Sequence, residues 1–396
     1  MNNLPPITSI FLNVTDSCCL SCRYCFVSQQ PNFMTYEVAK DAADFVIKNA
    51  ESINTTPFIN FFGGEPTLCW DSIIVPLTNY IRKEYAKPFT LSMTTNGILL
   101  NEERLKFLTE NDIGLLFSID GDKETQDYNR PCNNGKSSFD ALGDNIDLIA
   151  KYFPNVCFRS TIIPETCHNT FHNIMFARDH GYVNFFTIPD AFREWSDYSK
   201  RTLQLEMRKY SEYVIECFRN GSRPHIRFSE YDESFSKITK INSAILQDQF
   251  RCDGRCAATG KCGLGTNRGA SVGYNGDVFA CQEMVSPKES NKNKFYIGNI
   301  YTGVDDSLRI QLAESFDQNA DRTGNCAHCR LNRICNGGCV ANNFMITGDV
   351  NKMSPVFCWW QNILLDEAIY VSNVLGKESN PTFITYWRST TNGRKR

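Results

Sequence analysis

Cys18, Cys22 and Cys25 form a C-x3-C-x2-C run on one short stretch of chain. Thiolates suit zinc and iron–sulfur centres. A structural zinc takes four protein ligands. Cys19 is the neighbour that could supply a fourth, but adjacent cysteines rarely both reach one ion. A four-iron cluster held by three thiolates keeps one iron open to an outside ligand, so an odd count of three favours an iron–sulfur centre. Zinc and buried structural thiols, which pack as small hydrophobes, are the alternatives.

A second group lies far downstream. Cys256 and Cys262 stand as C-x5-C, Cys281 follows Gly276, and Cys326-x2-Cys329-x5-Cys335-x3-Cys339 leads to Cys358. Eight thiolates match two four-ligand centres, with a pair of zinc ribbons as the alternative. Seven of the 18 cysteines remain: Cys19, Cys69, Cys132, Cys157, Cys167, Cys217 and Cys252. They are expected as buried thiols, with Cys252 a candidate spare ligand. Clustered cysteines without an export signal point to metal chemistry in a reducing compartment, hence a cytoplasmic protein. The opening MNNLPPITSIFLNV has no charged n-region followed by a long apolar stretch.

Three polar, glycine-bearing motifs complete the chemistry. They are Gly63-Gly64-Glu65-Pro66, Thr94-Thr95-Asn96-Gly97 and Ser118-Ile119-Asp120-Gly121, with Arg130 beyond the last. Glycines let backbone approach a ligand, and Glu65 offers a carboxylate to an ammonium group. Each motif alone reads as an ordinary turn. Together they describe a site for a ligand with an amine, a carboxylate and hydroxyls.

The elements that must position these groups alternate. Strand-like runs occupy Ser9–Val14, Pro57–Phe62, Phe89–Thr94, Gly114–Ile119, Asn155–Ile162 and Val183–Ile188. Amphipathic stretches lie at Tyr36–Ala50, Trp70–Tyr85, Glu102–Glu110, Phe139–Tyr152, His168–His180 and Arg201–Arg219. Six strand–helix pairs predict an α/β fold with parallel strands, as a partial barrel or a doubly wound sheet. Function then belongs at the C-terminal ends of the strands, where all three motifs sit. Beyond residue 220 the chain turns rich in Gly, Asn and Cys, with a hairpin expected around Asn275-Gly276-Asp277 and a helix at Trp360–Leu375. Metal is expected to replace a hydrophobic core there. The tail Thr390–Arg396 is expected to fray. The expected division is 1–220, a linker at 221–250, and a Cys-rich domain with a C-terminal helix at 251–396. Lys and Arg total 41 against 44 Asp and Glu, which gives no basic field for nucleic acid. No run of 18 apolar residues exists to cross a membrane.

The Cys18/Cys22/Cys25 run with Tyr24 inside it, followed in order by the three motifs, resembles the radical S-adenosylmethionine (SAM) enzymes over roughly residues 8–220. The resemblance implies a partial (β/α)6 barrel whose three cysteines hold a [4Fe–4S] cluster, the open iron being chelated by the methionine moiety of SAM. It places Gly63, Gly64 and Glu65 at the SAM amino group, Ser118 and Arg130 at its carboxylate, Tyr24 near the adenine and Asn96 in the same site. Asp120 is expected to cap the following turn. The downstream array resembles the SPASM extension of that family. By this resemblance Cys256, Cys262, Cys281 and Cys339 hold one auxiliary [4Fe–4S] cluster, and Cys326, Cys329, Cys335 and Cys358 hold another.

Enzymes with this extension act mostly on peptides or proteins, so a precursor peptide or protein substrate is implied, with an electron donor such as flavodoxin or ferredoxin. The ligand pattern resembles anaerobic sulfatase-maturating enzymes, which form formylglycine and carry an Asp base directly after the cysteine matching Cys281. Here Gln282 and then Glu283 follow. An amide accepts no proton at neutral pH, and in a strand a one-residue shift turns the next side chain to the opposite face. The favoured reading is therefore a maturase that installs a thioether or carbon–carbon crosslink in a ribosomal peptide. Formylglycine formation is the alternative, and a non-enzymatic iron–sulfur or zinc protein a distant third. With 17 residues before Cys18, leader recognition is expected to use the barrel, residues 190–250, the C-terminal region or another protein.

Overall fold

The computed structural model describes residues 4–247, 264–266, 269–286, 292–315, 328–331, 335 and 337–392. Six parallel strands run through the first half: β1 (Ser9–Thr15), β2 (Phe58–Gly63), β3 (Thr90–Thr95), β4 (Ile113–Ser118), β5 (Cys157–Ile162) and β6 (Asn184–Pro189). They lie side by side in chain order. Between them run α1 (Tyr36–Ser52), α2 (Val75–Glu84), α3 (Glu102–Glu110), α4 (Lys123–Asn129), α5 (Ser138–Leu142), α6 (Asn145–Tyr152) and α7 (Thr170–Asp179), and α8 (Asp197–Arg219) follows β6. This is the expected six-unit parallel α/β array.

Two helices depart from their expected form. Phe139–Tyr152 is two helices rather than one, because Gly143 takes φ +49° and ends α5. Trp70–Tyr85 opens with a wide π-type turn over Trp70–Ile74 before α2. Pro76, with no N–H to give, stands two residues past that turn, second in α2.

The C-terminal half is built onto the same sheet. Residues 221–250, expected as a linker, contain β7 (Arg227–Phe228), parallel to β6, and the long helix α9 (Ser229–Gln247). The hairpin of β8 (Ala270–Val272) and β9 (Asp277–Phe279) turns at Asn275-Gly276 as expected. β8 also pairs parallel with β1, Ile10 against Ala270 and Leu12 against Val272. With β10 (Tyr296–Asn299) and β11 (Gly303–Val304) the sheet has 11 strands among the described residues. Helices α10 (Asp306–Ser315), α11 (Val340–Thr347), α12 (Pro355–Lys377) and α13 (Pro381–Asn392) complete the described chain. The tail expected to fray from Thr390 is helical to Asn392, and its last four residues lie outside the described residues.

One hydrophobic cluster runs from Ile10, Leu12 and Phe61 to Phe295, Val340, Trp360 and Leu364. The described part of the Cys-rich half therefore does bury apolar side chains, contrary to the expectation that metal alone would hold it. Of the cysteines expected as buried thiols, Cys69 and Cys167 are buried, whereas Cys19, Cys132, Cys157 and Cys217 are half-buried. Cys252 lies outside the described residues. No described helix is long and apolar enough to cross a membrane.

Candidate active site

A cavity of about 430 Å³ opens at the C-terminal ends of β1–β6. Cys18, Cys22 and Cys25 line it, as do Tyr24, Gly63, Gly64, Glu65, Asn96, Ser118 and Arg130. The structure thus brings every barrel residue singled out in the sequence to one place. Gln282, Glu283, Asn342 and Phe357 of the C-terminal half border the same space.

The cysteine loop leaves β1 at Thr15 and is pinned on both sides. Ser21 N–H donates to Pro131 O (2.8 Å) and Arg23 N–H to Asn129 O (2.9 Å). Asn133 Nδ2 donates to Cys18 O at 2.7 Å. The glycines also serve this loop. A Cβ at Gly63, where φ is +130°, would stand 2.3 Å from Thr15 O, and one at Gly64 would stand 2.2 Å from Ser17 O. Their bareness lets β2 press against the start of the cysteine loop, with Gly64 N–H bonded to Thr15 O and Glu65 N–H to Ser17 O.

Glu65 is buried and four-fold bonded. Its Oε1 accepts from Thr67 N–H (3.1 Å), Thr67 Oγ1 (2.5 Å) and Thr95 Oγ1 (2.7 Å), and its Oε2 from Asn96 N–H (2.8 Å). Burial pushes the carboxyl upward and these donors oppose it. Oε2, with one protein donor, keeps a lone pair for a ligand ammonium. The Asn96 amide faces the thiols, Nδ2 standing 3.7 Å from Cys18 Sγ and 3.3 Å from Cys19 Sγ.

Asp120 does not cap α4; Asp122 does, accepting from Thr125 N–H. Asp120 instead anchors the site. Its Oδ1 accepts from Arg130 Nε (3.0 Å) and Thr161 N–H (3.1 Å), and its Oδ2 from Asn129 Nδ2 (2.9 Å). Tyr24 O–H reaches both oxygens, at 2.9 and 2.7 Å. The Arg130 guanidinium lies 5.3 Å from the centre of the Tyr24 ring and 3.9 Å, at Nη1, from Cys22 Sγ. Burial works against the Arg130 charge, but Asp120, Tyr24 and Cys22 outweigh it and raise its pKa. Asp120 itself was read only as a cap because its role depends on residues from β5 and from the cysteine loop.

The site also holds residues the sequence reading missed. Arg159 of β5 is opposite Ser118 of β4 in register. A lone arginine in the strand Cys157-Phe158-Arg159-Ser160-Thr161-Ile162 was the available signal. Asp190 and Phe192, just past β6, line the cavity too. Gln282 and Glu283 lie in a short 3-10 turn, not a strand, so the alternation argument fails and both side chains reach the cavity. Burial pushes the Glu283 carboxyl up to about 7, with Arg159 drawing it down.

The donors fit an iron–sulfur centre. Three sulfurs border one cavity, and burial pushes the Cys22 thiol up to about 12 against the pull of Arg130; bound iron would hold it as thiolate. Leu20 N–H donates to Cys18 Sγ (3.4 Å), Leu331 N–H to Cys329 Sγ (3.4 Å) and Gly337 N–H to Cys335 Sγ (3.3 Å). This shared i+2 amide-to-sulfur bond suits a charged thiolate in both cysteine groups. Among the described residues no three His, Cys, Asp or Glu side chains converge as ligands of a single ion do. Of the second group, Cys281, Cys329, Cys335, Cys339 and Cys358 are described; Cys256, Cys262 and Cys326 lie outside the described residues.

A parallel α/β array with thiols and polar motifs at its C-terminal rim defines a class, and comparison with known proteins agrees. Residues 12–176 match the family model of the radical SAM superfamily, so the chain carries a radical SAM domain. It is 25% identical over 361 residues to the cysteine-type anaerobic sulfatase-maturating enzyme of Clostridium perfringens, covering 85% of this chain and 89% of that one. The solved structure of anSMEcpe with bound AdoMet and Cp18Cys peptide matches with a TM-score of 0.70 at 21% identity, covering 94% of this chain and 99% of the other. Streptococcus suis SuiB bound to its precursor peptide SuiA matches at 0.59 and 17% identity, covering 90% and 77%. Both solved structures share the fold.

Proposed function

We propose that this chain is a peptide maturase of the radical SAM class, acting on a ribosomally made peptide to install a thioether or carbon–carbon crosslink. When bound, the [4Fe–4S] cluster and SAM supply a 5′-deoxyadenosyl radical that abstracts hydrogen from an unactivated C–H bond. Cys18, Cys22 and Cys25 would hold that cluster. Gly63, Gly64 and Glu65 Oε2 would take the SAM amino group, Ser118 and Arg130 its carboxylate end, with Tyr24 near the adenine and Asn96 in the same site. Arg130, ion-paired with Asp120, fixes Tyr24 beside the thiols. Cys256, Cys262, Cys281 and Cys339, and separately Cys326, Cys329, Cys335 and Cys358, would hold two auxiliary clusters. An electron donor such as flavodoxin or ferredoxin would serve the chain.

The observation that carries a peptide substrate is the composition of the cavity. One wall bears the SAM motifs, and the other bears Gln282, Glu283, Asn342 and Phe357 from the cysteine-rich half. The peptides named with anSMEcpe and SuiB support the same class. Gln282 favours crosslinking, because an amide is no general base, and an auxiliary cluster, when bound, would lower the pKa of a substrate thiol so that its proton could pass to solvent without a protein base. One observation favours formylglycine formation as a second reading: Glu283 also borders the cavity, and a carboxylate can serve as a base.

The deciding experiment gives anaerobically reconstituted enzyme, SAM and a reductant two peptides. One is a cysteine-type sulfatase peptide, the other a small Cys-rich peptide of the ribosomal-precursor type. A product that has lost two hydrogens, survives alkylation and ignores aldehyde reagents, formed on the small peptide alone, is expected. An aldehyde on the sulfatase peptide at a comparable rate would replace this reading with the second.

A further inference from the structure

Two adjacent asparagines in α11 have different surroundings. Asn342 and Asn343 follow one another in the helix, so their side chains leave it about 100° apart. Asn343 is taken up by the fold: its Nδ2 donates to Gly337 O and Val350 O, and its Oδ1 accepts from Ser354 N–H. Asn342 is idle. It is only 7% exposed and lines the cavity. Its Oδ1 is buried, and its side chain makes no hydrogen bond among the described residues. Asn13, Thr78, Gln126, Ser271, Arg309 and Ser354 also carry a buried, unbonded side-chain atom, but none of them lines the cavity. Buried polar groups are as a rule bonded, and leaving one unbonded is costly, so an orphan at a site calls for a partner that arrives with a ligand. No bond fixes the amide, and rotation about χ2 turns either its oxygen or its nitrogen to the cavity.

The wall around Asn342 says which ligand. It is the wall of the cysteine-rich half, shared with Gln282, Glu283 and Phe357 and apart from the motifs on the barrel strands. A carboxamide sets one acceptor and two donors side by side and carries no charge. An extended peptide presents the N–H and C=O of one residue along the same edge, where a neighbouring strand would exchange two hydrogen bonds with it. The Asn342 amide has the groups to stand in for that neighbour. A charged ligand group would be met better by a charged partner.

We propose that Asn342 holds the substrate peptide by its backbone, its side-chain amide pairing with the N–H and C=O of one residue as the peptide crosses the cavity in extended form. This rests on the reading of the chain as a peptide maturase. Recognition through the backbone fixes where the peptide lies without choosing its side chains.

The test uses two fluorescently labelled probes, a cysteine-type sulfatase peptide and a small Cys-rich peptide of the ribosomal-precursor type. Each is titrated with anaerobically reconstituted holoenzyme and SAM, without reductant, so that nothing turns over. Asn342→Leu and Asn342→Ala should each weaken binding of the peptide that the wild type holds by roughly 10-fold, with iron content and SAM affinity unchanged. Asn342→Leu should hold or raise the melting temperature, because it removes an unbonded buried amide, whereas a residue serving only the fold would lower it. A scan of singly N-methylated peptides should find one position whose methylation costs the wild type affinity but costs Asn342→Leu nothing further. Unchanged peptide affinity in both variants overturns the proposal, as does a loss of iron or of SAM affinity, a fall in melting temperature in both, or an additive loss at every methylated position. If the wild-type holoenzyme binds neither peptide, the maturase reading itself falls, and the role of Asn342 with it.

Discussion

The two cysteine-bearing regions are stabilised in different ways. The loop carrying Cys18, Cys22 and Cys25 is tied by backbone hydrogen bonds to Asn129 and Pro131 and by Tyr24 to Asp120. The segment carrying Cys335, Cys339 and Cys358 is bridged by a buried side chain. Asn343, fully buried, donates through Nδ2 to Gly337 O (2.6 Å) and Val350 O (3.1 Å) and accepts from Ser354 N–H (3.1 Å). The first loop is held open by the protein itself, as a site that must admit a ligand requires. The second is bridged by a side chain, and metal ligation through its cysteines would add to that order.

The sharpest break in this comparison is chemical. Replacing Cys18, Cys22 and Cys25 together by Ala should abolish reductive SAM cleavage and lower iron content by about four per chain. The thermal transition should barely move, because the hydrogen bonds that pin the loop use its backbone. Replacing Cys335, Cys339 and Cys358 should instead lower the melting temperature markedly. Equal destabilisation by the two triple variants would erase the distinction.

Next comes Asp120→Asn. It removes the charge facing Arg130 and turns an amide donor toward Tyr24, Asn129 and the Thr161 N–H. Leaving a buried cation unpaired costs about 3–5 kcal/mol, to be read from urea unfolding. Asn343→Leu, the matching lesion in the other region, strands two carbonyls and one N–H. It should cost about 1–3 kcal/mol. Iron loss should exceed that in Asp120→Asn if metal and Asn343 share the work of ordering the segment.

How far the sequence revealed this molecule depended on the range of the interaction. The six barrel strands came through because each is a local apolar run between turns, and β1 to β6 begin within two residues of their expected starts. The cysteine ligands and the three motifs converge because all follow strand ends on one edge. Nonlocal contacts were invisible. Asp120 is a hub only because β5 and the cysteine loop close on it. Gly63 and Gly64 also accommodate the backbone of Thr15 and Ser17, a contact no local pattern shows. The Gln282–Met284 turn looked like strand because the chain between Val278 and Val285 is largely apolar, and it was the hairpin's end that set its true form. Helix α9 reads as a linker because α12, against which it packs, is far away in sequence.

The smallest predicted effect lies where the two regions touch. Ser286, five residues beyond Cys281, donates through Oγ to Asp16 Oδ1 at 2.7 Å, and its carbonyl accepts from Ser28 N–H at 2.7 Å. Asp16 and Ser28 flank the Cys18/Cys22/Cys25 loop, so this pair of bonds ties the wall bearing Gln282 and Glu283 to the wall bearing the thiols. Asp16 is also held by Asn32 Nδ2 at 2.9 Å, and Ser286→Ala therefore leaves it with a partner. The substitution keeps the backbone bond, so the expected cost is only about 1 kcal/mol. A double-mutant cycle with Asp16→Asn should return a coupling of similar size in urea unfolding, since the two side chains are in contact. SAM affinity should stay at the wild-type value while the KM for peptide rises, because the bond positions Gln282 and Glu283 rather than the cofactor side. A coupling indistinguishable from zero would mean that the Ser28–Ser286 backbone bond alone sets the spacing of the two walls.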